Sequence, residues 1–315
     1  MFRRNQSAES FPSEANVLNS PGEELIDYAR SVLATDRMLG DLASPDGLAR
    51  SLLYGRGSTQ IDGVDQFQPG VDPVSNIDYS ATYASSIPQA RKVLSHGSPS
   101  KLHVVMDAPE RTRELEGKYS YESIGNFVVA LTARIGEAIG DAELHVYHTF
   151  AKSRDGSIYE GDPEDAYEVF RRLRTTRSEH EKSLDELLTT VAGNIDNDND
   201  ASIVISDFMD GYDGQVDEFE WEQSLLRLGR AQEDLLWINQ IRSASHDRLP
   251  YGVVQGLDFS TVRSMNKAYE PQAQAKKDRI ERLFGRMQAK VVRIDTADTS
   301  PASTIIKGLV GNSVE

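Results

Sequence analysis

The sequence predicts an α/β protein with a mostly parallel sheet and helices on both faces. Three observations carry this. Leu102–Met106, in KLHVVMDAPER, is a short apolar run ending on Asp107. Ser202–Asp207, SIVISD, has the same shape, an apolar run ending on an acid. From residue 101 onward, short runs of this kind alternate with segments of helical periodicity, the pattern of parallel strands joined by crossover helices.

The elements follow in order. Residues 1–20 are rich in Ser, Asn, Glu and Pro and are expected to form a disordered tail. Pro21 opens a helical pattern with Leu25, Ile26, Ala29, Val32 and Leu33 on one face. A second short helix starts at Ser44-Pro45-Asp46 and stops at Gly55-Arg56-Gly57. Residues 58–100 are dense in turn formers and read as irregular or short-stranded. After the strand Leu102–Met106 comes a helix at about Ser120–Ile139, with Ile124, Phe127, Val128, Leu131 and Ile135 at helical spacing. Glu143–Phe150 alternates as a strand, Asp155-Gly156 is a hairpin-type turn, and Ser157–Tyr159 is an antiparallel return. Helices are expected from Asp162-Pro163 through Leu173, and from about Ser178 to Ala192. The polar tract Asn194–Asp200 is a loop without the glycine of an EF-hand. Strand Ser202–Ser206, a helix around Glu218–Ala231, strand Asp234–Ile241, a polar segment 242–265, a charged helix Tyr269–Met287, strand Lys290–Ile294 and a terminal helix Ala302–Val310 complete the chain.

Composition narrows the function classes. With 38% hydrophobic and 27% charged residues, the chain is ordinary for a globular protein. A formal net charge of −16 argues against nucleic acid or an anionic membrane as the main partner. No cysteine is present, which excludes disulfides, thiolate catalysis and zinc–thiolate sites. No apolar run is long enough to span a bilayer. The N-terminus has two arginines without an apolar core behind them, so no signal peptide is read there and a cytoplasmic protein is expected. Neither a P-loop nor a G-x-S-x-G elbow occurs. His103, His145 and His148 lack metal-ligand spacing and read as satisfied core or surface histidines; Trp221 and Trp237 read as core.

The most specific stretch is Phe67–Thr82, FQPGVDPVSNIDYSAT. It resembles the Y-x-P-G-D-D-x-R-x-I-D-W-x-x-x-A-R box of a bacterial von Willebrand factor type A (vWA)-like family, catalogued as domain-of-unknown-function family fifty-eight. Phe67, Pro69, Gly70, Asp72, Ile77 and Asp78 occupy the box positions, and Tyr79 replaces the tryptophan. Leu102–Asp107 is similar to the family's first strand, Ile203–Phe208 to a later one, Leu249-Pro250 to a Leu-Pro further on, and Lys277–Thr296 to the closing helix and strand. The resemblance spans about residues 50–310. It implies a Rossmann-like vWA body over 101–315. Before that body, residues 21–100 form a helical and irregular N-terminal region whose box, with Phe67, Ile77 and Tyr79 inward, packs back on the body.

In open α/β sheets, groups at the carboxyl ends of strands converge on one crevice. Asp107 and Asp207 are therefore candidates for one site; alternatively, each acid caps its own following loop. The resemblance adds a metal-ion-dependent adhesion site, D-x-S-x-S after the first strand plus a threonine. Here the run is Asp107-Ala108-Pro109-Glu110-Arg111, so both serines are lost and a positive charge is gained. Thr175, Thr176 and Ser178 are the options for the threonine. The reading is a degenerate site of Asp107, Glu110, Arg111, Ser206 and Asp207. Magnesium held by Asp107 and Asp207 is weak or lost, with Arg111 or a backbone amide holding one of the acids instead. No other cofactor is expected.

The family's members are typically encoded beside MoxR-type AAA+ ATPases. The resemblance therefore implies a non-enzymatic protein-binding adaptor or co-chaperone whose crevice holds an acidic side chain of a partner, in some cases through a metal. Two alternatives stand beside it: a metal-dependent hydrolase using Asp107, Glu110 and Asp207, or a structural scaffold with a dead metal site.

Overall fold

A computed structural model describes residues 17–18, 25, 27–29, 61–66, 79–85, 87–93, 101–110, 112, 117–139, 142–175, 180–196, 200–232, 235–249, 254–287 and 289–311. Box residues Phe67, Pro69, Gly70, Asp72, Ile77 and Asp78 lie outside these, as do Arg111, Thr176 and Ser178. Within the segment expected to be a tail, Val17 and Leu18 are helical and buried. Leu25 and Ala29, expected to face inward, are fully buried.

The turn-rich region contributes an antiparallel hairpin, β1 (Ile61–Gln66) and β2 (Gln89–Val93), enclosing the short helix α1 (Tyr79–Ser85). The body follows: β3 (Lys101–Met106), α2 (Tyr121–Ile139), β4 (Glu143–His148), β5 (Ser157–Gly161), α3 (Tyr167–Thr175), α4 (Leu184–Asn194) and β6 (Ala201–Ser206). After them come the small hairpin β7 (Tyr212–Asp213) and β8 (Glu218–Phe219), α5 (Glu222–Gln232), β9 (Leu236–Arg242), α6 (Phe259–Phe284), β10 (Lys290–Asp295) and α7 (Pro301–Gly311). Six strands form one sheet in the order β10-β9-β6-β3-β4-β5. Every neighbouring pair is parallel except β4–β5, where the chain returns directly through a tight turn. The fold is thus α/β with a mostly parallel sheet, and β3 and β6 are adjacent at its centre.

Apolar residues on both faces of the central strands are what a sheet covered on both sides requires. Leu102, Val104 and Met106 join Ile203 and Ile205 under α2 and α7. Val105, Val204 and Ile238 face the other way, into a core with Leu187, Leu188, Leu225, Leu228 and Phe284 of α4, α5 and α6. Tyr28 of the N-terminal helical residues packs its ring 6.0 Å from that of Phe127 on α2, so this part of the N-terminal region rests on the body.

Several boundaries differ from expectation for identifiable reasons. Helix α4 starts at Leu184, because Ser183 and Glu186 form a reciprocal capping box there. Glu218 and Phe219, expected in a helix, form β8 instead: Asp217 has φ +53, and Phe219 stacks on Tyr212 (4.9 Å) and Trp221 (4.8 Å). Helix α6 begins ten residues before Tyr269, because Asp258 caps it through the amides of Ser260 and Thr261. Pro271, inside this helix, forfeits one backbone hydrogen bond.

The Asp155-Gly156 turn is as expected, with Gly156 at φ +84. A Cβ there would lie 2.4 Å from the Leu187 side chain, which locks the turn against α4. Gly156→Ala is expected to lower stability by about 1–2 kcal/mol for the left-handed backbone alone, with a further loss from the displaced leucine. Urea denaturation reads this directly.

Candidate functional site

Parallel register places the ends of β3, β4 and β6 side by side, with Met106 level with His148 and with Ile205. The residue after each strand therefore enters a common crevice: Asp107, Thr149 and, beside them, Ser206 and Asp207. Asp107 is 4% exposed. Its Oδ2 accepts a hydrogen bond from Ser206 Oγ at 2.5 Å, and its Oδ1 lies 3.2 Å from the Thr149 hydroxyl. Thr149 Oγ1 also accepts from the Ala108 amide at 3.0 Å. The Tyr121 hydroxyl, at the start of α2, donates to the Asp107 carbonyl. The Asp107 carboxylate is thus fixed by side chains from two neighbouring strand ends.

Asp207 is 1% exposed and has other partners. Its Oδ1 accepts from the Met209 amide at 3.2 Å, an Asx-type turn, and its Oδ2 faces His246 Nε2 at 3.1 Å. His246 Nδ1 accepts from the Ser243 amide at 3.3 Å. That leaves the ring proton on Nε2, donated to Asp207. Phe208 then turns into the left-handed region at φ +60, with its ring 5.1 Å from those of both Trp221 and Phe284. The aromatic contacts hold the backbone where the Asp207 turn needs it.

Of the residues expected at the site, Asp107 and Ser206 touch each other. Asp207 sits at the neighbouring strand end and engages His246. Glu110 lies in an exposed turn. The threonine on Asp107 is Thr149; among the three alternatives, Thr175 ends α3 and the others lie outside the described residues. Thr149 and His246 escaped the sequence reading. The signal for Thr149 was its place immediately after a strand, the place Asp107 has on the next strand. His246 had no such signal, since it comes from a single turn, Ala244–Asp247, capped by Ser243.

Above Asp107 opens a cleft of about 310 Å³. Its walls are the segment entering α4 (Glu181, Lys182, Ser183, Leu184, Asp185) and the turn after β6 (Asp210, Gly211), with Glu220 and Trp221. Four acidic residues besides Asp107 thus line the cleft with one lysine. Lys182 Nζ donates to the Ala151 carbonyl at 2.8 Å, so its charge is drawn to one side. Trp221 is anchored by its Nε1, which donates to the Asp210 carbonyl at 3.0 Å. Among the described residues no group of three or more His, Asp or Glu is placed to hold a metal ion.

His103 and His148 depart from the satisfied state expected of them, whereas His145 has the Glu143 carboxylate 3.2 Å from its Nε2. His103 is fully buried, and neither ring nitrogen has a hydrogen-bond partner; His148 Nδ1 accepts from the Phe150 amide at 3.0 Å, but its Nε2 has none. Burial pushes both rings down to about 4. Among the described residues, no helix is long and apolar enough to cross a membrane. Compared with known proteins, the chain matches no family model and no curated protein.

Proposed function

We propose that this chain is a non-enzymatic binding protein of the vWA-like kind, which takes a basic side chain of a partner protein in the cleft above Asp107. The observation that carries the reading is the wall itself: Glu181, Asp185, Asp210 and Glu220 around a cavity of side-chain size. The charged head of a lysine or arginine meets carboxylates in such a cavity through charge-assisted hydrogen bonds. An acidic partner side chain, the occupant the family resemblance implies, would meet repulsion here unless a cation intervened. The family role beside a MoxR-type AAA+ ATPase belongs to the same proposal and rests on the box and strand motifs.

The inner acids support binding over catalysis. Asp107 and Asp207 spend oxygens on Ser206, Thr149, Met209 and His246, and both His246 nitrogens are engaged. A general base must come within reach of a substrate proton, and Asp107 and Asp207 are only 4% and 1% exposed.

The test is titration of an arginine-containing peptide, a glutamate-containing peptide and magnesium, each followed by calorimetry. The arginine peptide is expected to bind. Asp210→Asn with Glu220→Gln should weaken it by about tenfold, in keeping with the worth of charge-assisted contacts, and raised salt should weaken it further. Equal binding of the two peptides, or none, overturns the reading. Sub-millimolar magnesium binding that Asp107→Ala abolishes would make the crevice a working metal site instead.

A further inference from the structure

At the opposite end of the sheet, His103 stands in register with His145 of β4 on one side and with Ser202 of β6 on the other. In a parallel sheet, residues in register share a face, here the face packed by α4 and α5. The His103 ring lies 5.2 Å from His145 and stacks 6.1 Å from Tyr147. Its two nitrogens and the Ser202 hydroxyl, all buried, have no hydrogen-bond partner. Tyr147 in turn seats α4: Asn194, the last residue of that helix, donates from Nδ2 to the tyrosine hydroxyl at 3.2 Å. The first residues of the same helix, Leu184 and Asp185, with their cap Ser183, form the wall of the acidic cleft. One rigid helix thus joins a buried, unsatisfied imidazole to the cleft.

We propose that His103 is an acid-sensitive latch: neutral, it lets α4 lie on the sheet, and protonated, it lifts the Asn194 end of α4 from Tyr147 and loosens the cleft wall at the other end. A neutral imidazole fits a stack with Tyr147 and His145, whereas an imidazolium there has neither water nor a bonded carboxylate.

The charged surroundings have been weighed element by element. On its own strand, Lys101 opposes a second positive charge but is itself paired with Asp196. From β4, His145 opposes it, with Glu143 3.2 Å from the His145 ring, and Tyr147 is neutral. From the segment between α4 and β6, Asp196 and Asp200 favour the charge. Asp200 Oδ2 accepts from the Asp196 amide, and the Asp200 carbonyl accepts from Gln232 of α5. Ser202 of β6 and Asn194 of α4 are uncharged. Burial is the largest influence, followed by His145, and together they outweigh the two acids, leaving His103 at about 4. Proton uptake is therefore easier once α4 has moved and the ring meets water, so acid favours the open arrangement.

The latch rests on the binding reading only for its consequence at the cleft. Its test uses no peptide, so the two can fail separately. Hydrogen exchange on the full-length protein should show the protection of α4 amides falling by up to about tenfold for each pH unit below 6.5, while β6 amides Ile203–Ile205, which open only with the whole fold, stay more protected than α4 throughout. In His103→Leu, α4 protection should no longer depend on pH. An equal fall in His103→Leu, or equal protection of α4 and β6 at every pH, overturns the proposal. Should that variant not fold, the His103 ring is titrated by NMR in the unaltered protein. A midpoint shared with the α4 amides supports the latch, and different midpoints overturn it.

Discussion

Acidification from pH 6.5 to 4 is expected to remove several kcal/mol of folding stability, much of it above the range in which ordinary carboxylates titrate. His103 and His148 carry the effect. Both are buried, at 0% and 4% exposure, and burial lowers each from 6.5 to about 4 in the native state. For His148, burial is the cause. The Phe150 amide points at Nδ1, so a proton there would also face a donor. In the unfolded chain both rings titrate near their ordinary value. Below that value the unfolded state binds protons that the native state refuses, so stability falls with pH. It is full above about pH 6.5 and declines continuously as pH falls towards 4, where the native rings begin to titrate too. Each ring contributes roughly 3 kcal/mol over that window, at about 1.4 kcal/mol per pH unit. Urea denaturation at successive pH values measures the slope. The variant carrying His103→Leu and His148→Leu should lose most of it; an unchanged slope would assign acid sensitivity to other groups. Carboxylates held below their usual range, such as Glu281 beside Arg293 and Arg242, act in a lower window. Their stabilisation is lost as pH falls through their own depressed values.

Glu222→Ala should cost about 3 kcal/mol, the largest single-residue loss expected outside the apolar core. Glu222 is 2% exposed at the start of α5. Its Oε1 accepts from the Phe219 amide at 3.0 Å and from Arg279 Nε at 2.7 Å, and its Oε2 accepts from Arg279 Nη2 at 2.6 Å. One carboxylate therefore ties β8, α5 and the middle of α6 together. The bidentate geometry is the strong form of this pair, and it raises Arg279 above its ordinary value. Removing the acid leaves the Phe219 amide unpaired in a buried place and a guanidinium whose side chain is only 20% exposed. Arg279 keeps weaker company, Glu218 at 3.8 Å and Asp217 at 3.9 Å, which limits the loss. Glu222→Gln, which keeps an acceptor without the charge, should lose about half as much. A loss below 1 kcal/mol in the alanine variant would show that β8 and α6 are held by packing alone. The aromatic group of Phe208, Phe219, Trp221 and Phe284 stands in the same region.

Much of the architecture was legible before any coordinates. The runs at 102–106 and 202–206 put apolar residues on both faces, as a strand covered on both sides requires. The spacing of Ile124, Phe127, Val128, Leu131 and Ile135 is helical and nothing else. That the runs at 102–106 and 202–206 lie side by side in the centre was read from the sequence, whereas the places of the other strands came from the structure. Element ends were less legible. They depend on single side-chain bonds, such as Ser183 with Glu186 or Asp258 with Ser260, which compete with periodicity over one turn.

The site divides in the same way. That Asp107 and Asp207 end central strands was read from the sequence alone, because both follow an apolar run. What each acid does was decided by tertiary structure. Strand register brings Ser206 and Thr149 to Asp107, and a separate capped turn brings His246 to Asp207. The acidic wall of Glu181, Asp185, Asp210 and Glu220 comes from segments that are polar and unremarkable in the sequence. It exists because α4 enters the sheet edge beside the β6 turn. The buried state of His103 was hidden for a related reason. A histidine inside an apolar strand does not tell what covers its face, and it is the helices packed there, α4 with its last residue on Tyr147 among them, that remove it from water. Local periodicity determines which segments are strands and helices; burial and charge at a point depend on what distant segments lay over it.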